Sequence, residues 1–182
     1  RTFQVTEDND DFESMAQKII DSKQGVFITG NPGCGKSHLC KMIQKKIDNF
    51  VSVAPTNKAA LLIDGVTIHS YIAGIRKNVI NCIKKLQYII VDEVSMLQEV
   101  FYKHLMYFKK VNPDLAIIMI GDFNQLPTVG DRIRNRDYSN STILREICDY
   151  NQVILTKNRR NNNDARIAEL IKTQDYIDIP QK

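Results

Sequence analysis

Short apolar runs alternate along the chain with stretches in which apolar residues recur every three or four positions. Val26 to Thr29 is a β-branched run with the character of a strand. Leu39, Ile43 and Ile47 stand four apart, which predicts an amphipathic helix over Lys36 to Ile47. Val51 to Ala54 predicts a second strand, stopped by Pro55, and Lys58 to Ile63 predicts a short helix. Ser70 to Leu86 mixes both patterns and reads as helical in parts. Tyr88 to Val91 is apolar throughout, as a strand buried on both faces must be. The helix after it places Leu97, Phe101, Leu105 and Phe108 on one face. The turn signal Asn112-Pro113-Asp114 precedes a fourth strand, Ile117 to Ile120. Gln152 to Leu155 reads as a fifth strand. Asp164 to Lys172 reads as a closing helix, with Ile167, Leu170 and Ile171 inward.

Strand–helix alternation with short connections predicts an α/β fold: a mainly parallel sheet covered by helices on both faces. The 182 residues fit one domain with its own core. That domain is expected over residues 25–182, after a lead-in segment over residues 1–24. Asp131 to Ser141, rich in charged, Asn and Ser residues, reads as an exposed loop.

Charge adds little until it is placed. The net charge is +4, but residues 1–24 carry six acids and three bases, whereas residues 25–130 carry twelve bases and seven acids. Such a surface admits a nucleic-acid partner without requiring one. The apolar runs are too short for a transmembrane helix, so no membrane partner is expected. Cys34, Cys40, Cys82 and Cys148 contain no CxxC pair, and His38, His69 and His104 have no metal-ligand spacing. Free thiols and the lack of a signal peptide point to an intracellular setting, cytoplasm or nucleus, a viral protein in its host cell included. The chain starts at Arg1, which suggests a piece of a longer polypeptide.

The strongest chemical signal is Gly30 to Ser37, GNPGCGKS, which satisfies G-x-x-x-x-G-K-[ST]. It follows a predicted strand and opens a predicted helix, the context its chemistry needs. Gly30, Gly33 and Gly35 let backbone N–H groups turn inward around a phosphate, and the helix N-terminus adds partial positive charge. Pro32, Cys34 and His38 complete the expected nucleotide-contacting set. Lys36 would reach the β- and γ-phosphates, and Ser37 would offer a hydroxyl to Mg²⁺. ATP and Mg²⁺ are the expected cofactors. Cys34 lies near a helix N-terminus, where a thiol can be activated; a tolerated small loop residue is the plainer reading.

Asp92-Glu93 ends the run IIVDE. An acid at the end of a neighbouring strand can hold Mg²⁺, and a second beside it can polarise an attacking water. Adjacent residues point different ways, so Asp92 can face the metal and Glu93 the γ-phosphate. Past the fourth strand, in GDFNQLPTVG, the amide of Gln125 can donate to a phosphate oxygen or to that water.

In this order, GNPGCGKS, APTNKAA (54–60), TIHSY (67–71), VDEVSM (91–96), GDFNQLPTVG (121–130) and LTKNRR (155–160) resemble superfamily-1 helicases, most closely the PIF/RecD-type DNA helicases. The resemblance spans about Val26 to Arg160. It implies a RecA-like three-layer P-loop NTPase domain and ATP-driven 5′→3′ movement on single-stranded DNA. Lys36, Ser37, Asp92 and Glu93 match the family's ATP and Mg²⁺ residues. Gln125 matches a glutamine that couples the γ-phosphate to the DNA-facing loop, and Arg160 an arginine that contacts the γ-phosphate. The implied DNA face comprises Pro55, Thr56, Asn57, Thr67 and His69, with Phe123 stacking on a base or packing in the core. The resemblance also implies a second RecA-like domain of the same polypeptide, not contained in these residues. Upstream of the loop, Gln4 and Gln17 stand in no adenine-selecting pattern.

Three other readings are compatible with the motifs: a viral-type superfamily-1 RNA helicase, a regulatory NTPase, and a nucleotide- and nucleic-acid-binding fragment with no turnover of its own. APTNKAA and TIHS favour DNA over RNA. Asn57-Lys58-Ala59-Ala60 lacks the Asp that guanine recognition by N-K-x-D requires.

Overall fold

The computed structural model describes residues 4–6, 11–123 and 141–157. Its seven described strands form one parallel sheet: β1 (Gln4–Thr6), β2 (Val26–Gly30), β3 (Phe50–Ala54), β4 (Val66–Thr67), β5 (Tyr88–Val91), β6 (Ala116–Ile120) and β7 (Gln152–Leu155). Their order is β1-β7-β2-β6-β5-β3-β4. The described helices are α1 (Phe12–Ser22), α2 (Lys36–Gln44), α3 (Asn57–Leu62), α4 (Ile68–Ile75), α5 (Val79–Lys84), α6 (Glu99–Val111) and α7 (Thr142–Ile147).

The central strands look continuously apolar because they serve two cores. In β6, Ala116, Ile118 and Ile120 enter one cluster, and Ile117 and Met119 the other. This is the period-two alternation of a strand with both faces covered. On the first face α1, α2 and α3 contribute Phe12, Met15, Leu39, Ile43 and Ala60. On the second, α4 to α7 contribute Ile68, Ile83, Leu105 and Ile147. The architecture is the expected three-layer α/β domain.

The five predicted strands appear within a residue of their expected bounds. Two short edge strands, β1 and β4, carry too few residues to show a pattern. Helix α1 lies in the stretch read as a lead-in, yet it packs into the first core. Phe12, Met15, Ala16 and Ile19 follow i, i+3, i+4, i+7 and are buried, and the Asp11 carboxylate caps the helix by accepting the Ser14 N–H at 2.8 Å. Ser70 to Leu86 resolves into most of α4 and all of α5, separated by Arg76–Asn78. The predicted closing helix lies outside the described residues.

The N-terminal edge of the sheet is tied by one polar cluster. Asp149 accepts the Gly25 N–H at 2.6 Å and pairs with Lys109. Buried Asn151 donates to Gln24 Oε1 at 3.0 Å and to the Gly25 carbonyl at 2.9 Å.

Candidate functional site

With every strand parallel, β2 to β6 open their C-terminal ends on one edge, where open α/β sheets hold ligands. Phe27, Met119 and Val91 lie level across β2, β6 and β5. Asp92 leaves β5 one residue above that level, and Gly30 ends β2 three above it. The register therefore brings the phosphate-loop sequence and the acidic pair to the same edge.

The loop has the backbone its glycines allow: φ is 149° at Gly30, 85° at Gly33 and 95° at Gly35. A Cβ at Gly30 would come within 2.2 Å of the Leu155 carbonyl oxygen. One at Gly35 would come within 2.5 Å of Phe12 Cζ. Thus α1 backs the loop. Helix α2 starts without a side-chain cap, so its first-turn N–H groups are left for a ligand or solvent. Lys36 Nζ folds back to donate to the carbonyls of Gly30 at 2.5 Å and Asn31 at 3.2 Å. Pro32, Ser37 and His38 are exposed, and the His38 ring lies 5.3 Å from that of Phe12.

Cys34 is different. Its side chain is 1% exposed and packs in the core. Its N–H donates to the Asn31 carbonyl at 3.3 Å, which makes it a backbone part of the turn. Cys40, in α2, is also buried, and burial, reinforced by Asp92, pushes its thiol up to about 12.

Asp92 is 9% exposed. Burial raises its carboxyl above the ordinary value; the Glu93 N–H, donating to Oδ1 at 2.9 Å, opposes this, Glu93's charge adds to it, and Lys36 opposes it. Burial thus disfavours the ionised form, which a bound cation would favour. Glu93 itself has φ 54°, rare for a side-chain-bearing residue. The turn that follows, Val94–Met96, is braced by the buried Tyr102 hydroxyl, which donates to the Val94 carbonyl at 3.0 Å. Ser37 and Asp92 offer hard oxygen donors of the kind Mg²⁺ takes. Among the described residues no group of three or more His, Cys, Asp or Glu gathers to hold a metal. That donor set fits Mg²⁺, which uses few protein ligands and fills its shell with phosphate and water.

On the neighbouring strands, Thr56 and Thr67 follow β3 and end β4, whose register pairs Ala54 with Thr67. Both are helix N-caps. Thr56 Oγ1 accepts the Ala59 N–H at 3.2 Å, and Thr67 Oγ1 accepts the Ser70 N–H at 3.1 Å. Their hydroxyls are engaged in aiming α3 and α4. Pro55 is half-buried, Asn57 is exposed, and exposed His69 meets Phe101 edge-on at 5.9 Å. Phe123 is half-buried against Phe27, centroids 5.6 Å apart, on the second core.

Gln125 and Arg160 lie outside the described residues, so Lys36, Asp92 and Glu93 carry the described part of the candidate chemistry. Gln17 bonds to Asp21 at 2.9 Å and to Lys46 at 3.3 Å on the outer surface of α1. Three residues near the site escaped the motif reading: Phe12 behind the loop, Tyr102 under the Glu93 turn, and Asp122, 3% exposed at the end of β6. Asp122 did carry a signal, an acid directly beyond a wholly apolar strand and Gly121. Tyr102 carried none, since its partner is a backbone carbonyl.

A family model described as an AAA domain matches residues 13–131. The ATP-dependent DNA helicase Pif1 of Bdellovibrio bacteriovorus is 27% identical over 172 residues, covering 81% of this chain and 39% of that protein. The crystal structure of Pif1 helicase from Candida albicans superposes with a TM-score of 0.70 at 23% identity, over 94% of this chain and 45% of that one. Bacteroides Pif1 bound to ssDNA gives a TM-score of 0.63 at 25% identity, over 82% and 43%. The chain spans less than half the length of each of these relatives.

Proposed function

This chain belongs to the AAA domain family, as a Pif1-like superfamily-1 helicase motor domain, and on that premise we propose that it is the ATP-binding half of a DNA helicase moving 5′→3′ on single-stranded DNA. One observation carries the reading. Lys36 and an uncapped α2 N-terminus stand on one sheet edge with the buried Asp92 and the half-buried Glu93.

In this reading the loop amides and Lys36 hold the β- and γ-phosphates of ATP, with the ammonium leaving the Gly30 carbonyl to do so. Ser37 and Asp92 hold Mg²⁺, which supplies electrostatic stabilisation of the phosphates. Glu93 takes a proton from the water that attacks the γ-phosphate in line. Gln125 senses that phosphate and Arg160 offsets its developing charge. A second RecA-like domain of the same polypeptide closes the cleft, so that closing and opening move the pair along the strand. The N-termini of α3 and α4 receive DNA phosphates, with Pro55, Asn57 and His69 beside them. Phe123, half-buried against Phe27, is the candidate to stack on a base. The setting is intracellular, and no described helix is long and apolar enough to cross a membrane.

The test is binding of a fluorescent ATP analogue with Mg²⁺ to these 182 residues and to Lys36→Ala. We expect weak binding by the parent, a loss of about tenfold or more in the variant, and little turnover by either. Equal affinity in both proteins would overturn the assignment of the loop.

A further inference from the structure

A groove of about 520 Å³ lies between α4, α5 and α6 and shares no residue with the phosphate loop or with Asp92 and Glu93. Ile72, Ile75, Val79 and Phe108 give it an apolar lining. Val100 and Tyr107, each 46% exposed, carry that lining out to the surface. Its polar border is formed by Arg76, Lys103 and His104, with no acid among the lining residues. Glu99 pairs with Lys103 at 3.1 Å and offsets part of its charge.

The surroundings are basic in sequence as well. From Gly65 to Val91 there is no Asp or Glu, whereas Arg76, Lys77, Lys84 and Lys85 fall in that stretch. Two exposed large apolar residues on a concave aliphatic surface leave apolar area in water that association would remove. An aliphatic slot between helices fits the apolar face of another helix, read through anchors one turn apart. The cationic border selects against a basic partner and favours an acidic one. A nucleic-acid strand would want flat aromatic platforms and several cations at phosphate spacing. Here the apolar lining is four branched aliphatics, Ile72, Ile75, Val79 and Val100, against two aromatics, Tyr107 and Phe108, and the lysine and arginine cations on its border number two, Arg76 and Lys103.

We propose that the α4–α5–α6 groove is a docking site for an acidic amphipathic helix of a partner protein, whose apolar residues enter the slot while its carboxylates meet Arg76 and Lys103. The inference does not depend on the nucleotide reading, since the groove lies apart from that site.

The experiment uses two helical peptides of about 18 residues with identical leucine anchors at i, i+4 and i+7, one flanked by glutamates and the other by lysines. Binding to the 182-residue chain is followed by fluorescence anisotropy. The acidic peptide should bind at least about tenfold tighter than the basic one. Val100→Glu and Tyr107→Glu, at half-exposed positions the fold tolerates, should each weaken it about tenfold, with unchanged circular dichroism. Arg76→Glu combined with Lys103→Glu should reverse the preference toward the basic peptide. Equal binding of both peptides, no binding of either, or indifference to all four substitutions would overturn the proposal. So would displacement of the acidic peptide by oligo-dT, which would make the groove a nucleic-acid surface. Dimerisation of the chain abolished by Val100→Glu would equally overturn it, as the groove would then be a self-association face.

Discussion

The ring of Phe12 fills the space that a side chain at Gly35 would need, with Phe12 Cζ 2.5 Å from the Cβ position. A residue outside the phosphate-loop motif thereby sets the shape of the loop. Helix α1 is the back wall of the site, as well as part of the core.

Gly35→Ala should therefore fail twice, through φ 95° and through the Phe12 contact. We expect a stability loss of roughly 1–3 kcal/mol from the backbone alone and weaker binding of a fluorescent ATP analogue. Phe12→Ala should cost about 3–5 kcal/mol as a buried aromatic truncation and should also weaken nucleotide binding, although Phe12 is no part of the motif. Urea unfolding alongside nucleotide titration separates the effects. Nucleotide affinity unchanged in folded Phe12→Ala would show that α1 does not support the loop.

Asp92 should make the ligand-free protein less stable as pH rises. Its folded carboxyl titrates above the ordinary value of 3.8 because burial disfavours the charge. Below the unfolded value both states are protonated and no penalty exists. As pH rises through the unfolded and then the folded value, the unfolded chain ionises first and stability falls. Asp92→Asn should accordingly raise the melting temperature at neutral pH, with the gain vanishing below the ordinary carboxylate value. Melts of both proteins between about pH 3 and pH 7 check this. The same substitution should impair Mg²⁺-dependent nucleotide binding. A gain that persists at the acidic end would point to a cause other than ionisation.

Thr56 and Thr67 should contribute to DNA binding through the helices they cap. Their hydroxyls already accept the Ala59 and Ser70 N–H groups. Replacing either by Val should cost about 1 kcal/mol of stability as a lost cap, and Ser should restore it. Anisotropy with labelled oligo-dT should show weaker binding for the Val variants and near-parental binding for Ser. If Ser restores stability yet binds DNA as poorly as Val, the cap alone does not account for DNA binding.

Asp149 should matter to the fold and not to the site. It joins Gly25 to Lys109 at the N-terminal edge of the sheet, opposite the phosphate loop. Asp149→Ala should cost about 1.5–3 kcal/mol, the range for hydrogen bonds to a charged group. Asn should cost less, since it tolerates φ 51° and keeps an acceptor for Gly25. Urea midpoints rank the three proteins, and nucleotide affinity should be unchanged in all that remain folded.

The strands β2, β3, β5, β6 and β7, the helices α2 and α6, and the loop Gly30–Ser37 were all readable in the chain. Each rests on spacing within about a dozen residues: β-branched runs, four-residue periodicity, or glycines placed where a turn needs them. Helix α1 carries the same kind of signal, Asp11 before the Phe12–Met15–Ala16–Ile19 spacing, within residues 1–24, whose six acids and three bases suit a solvated lead-in. The two-residue β4 was not readable, since it exists only by pairing with β3. Tertiary structure alone decided that Phe12 stands behind Gly35, that Cys34 turns its thiol into the core, and that Asp92 is dry. It also decided that α4, α5 and α6 leave a basic-bordered groove. These are facts about which distant surfaces meet, and burial and its effect on charge depend on that meeting, which no local period in a chain encodes.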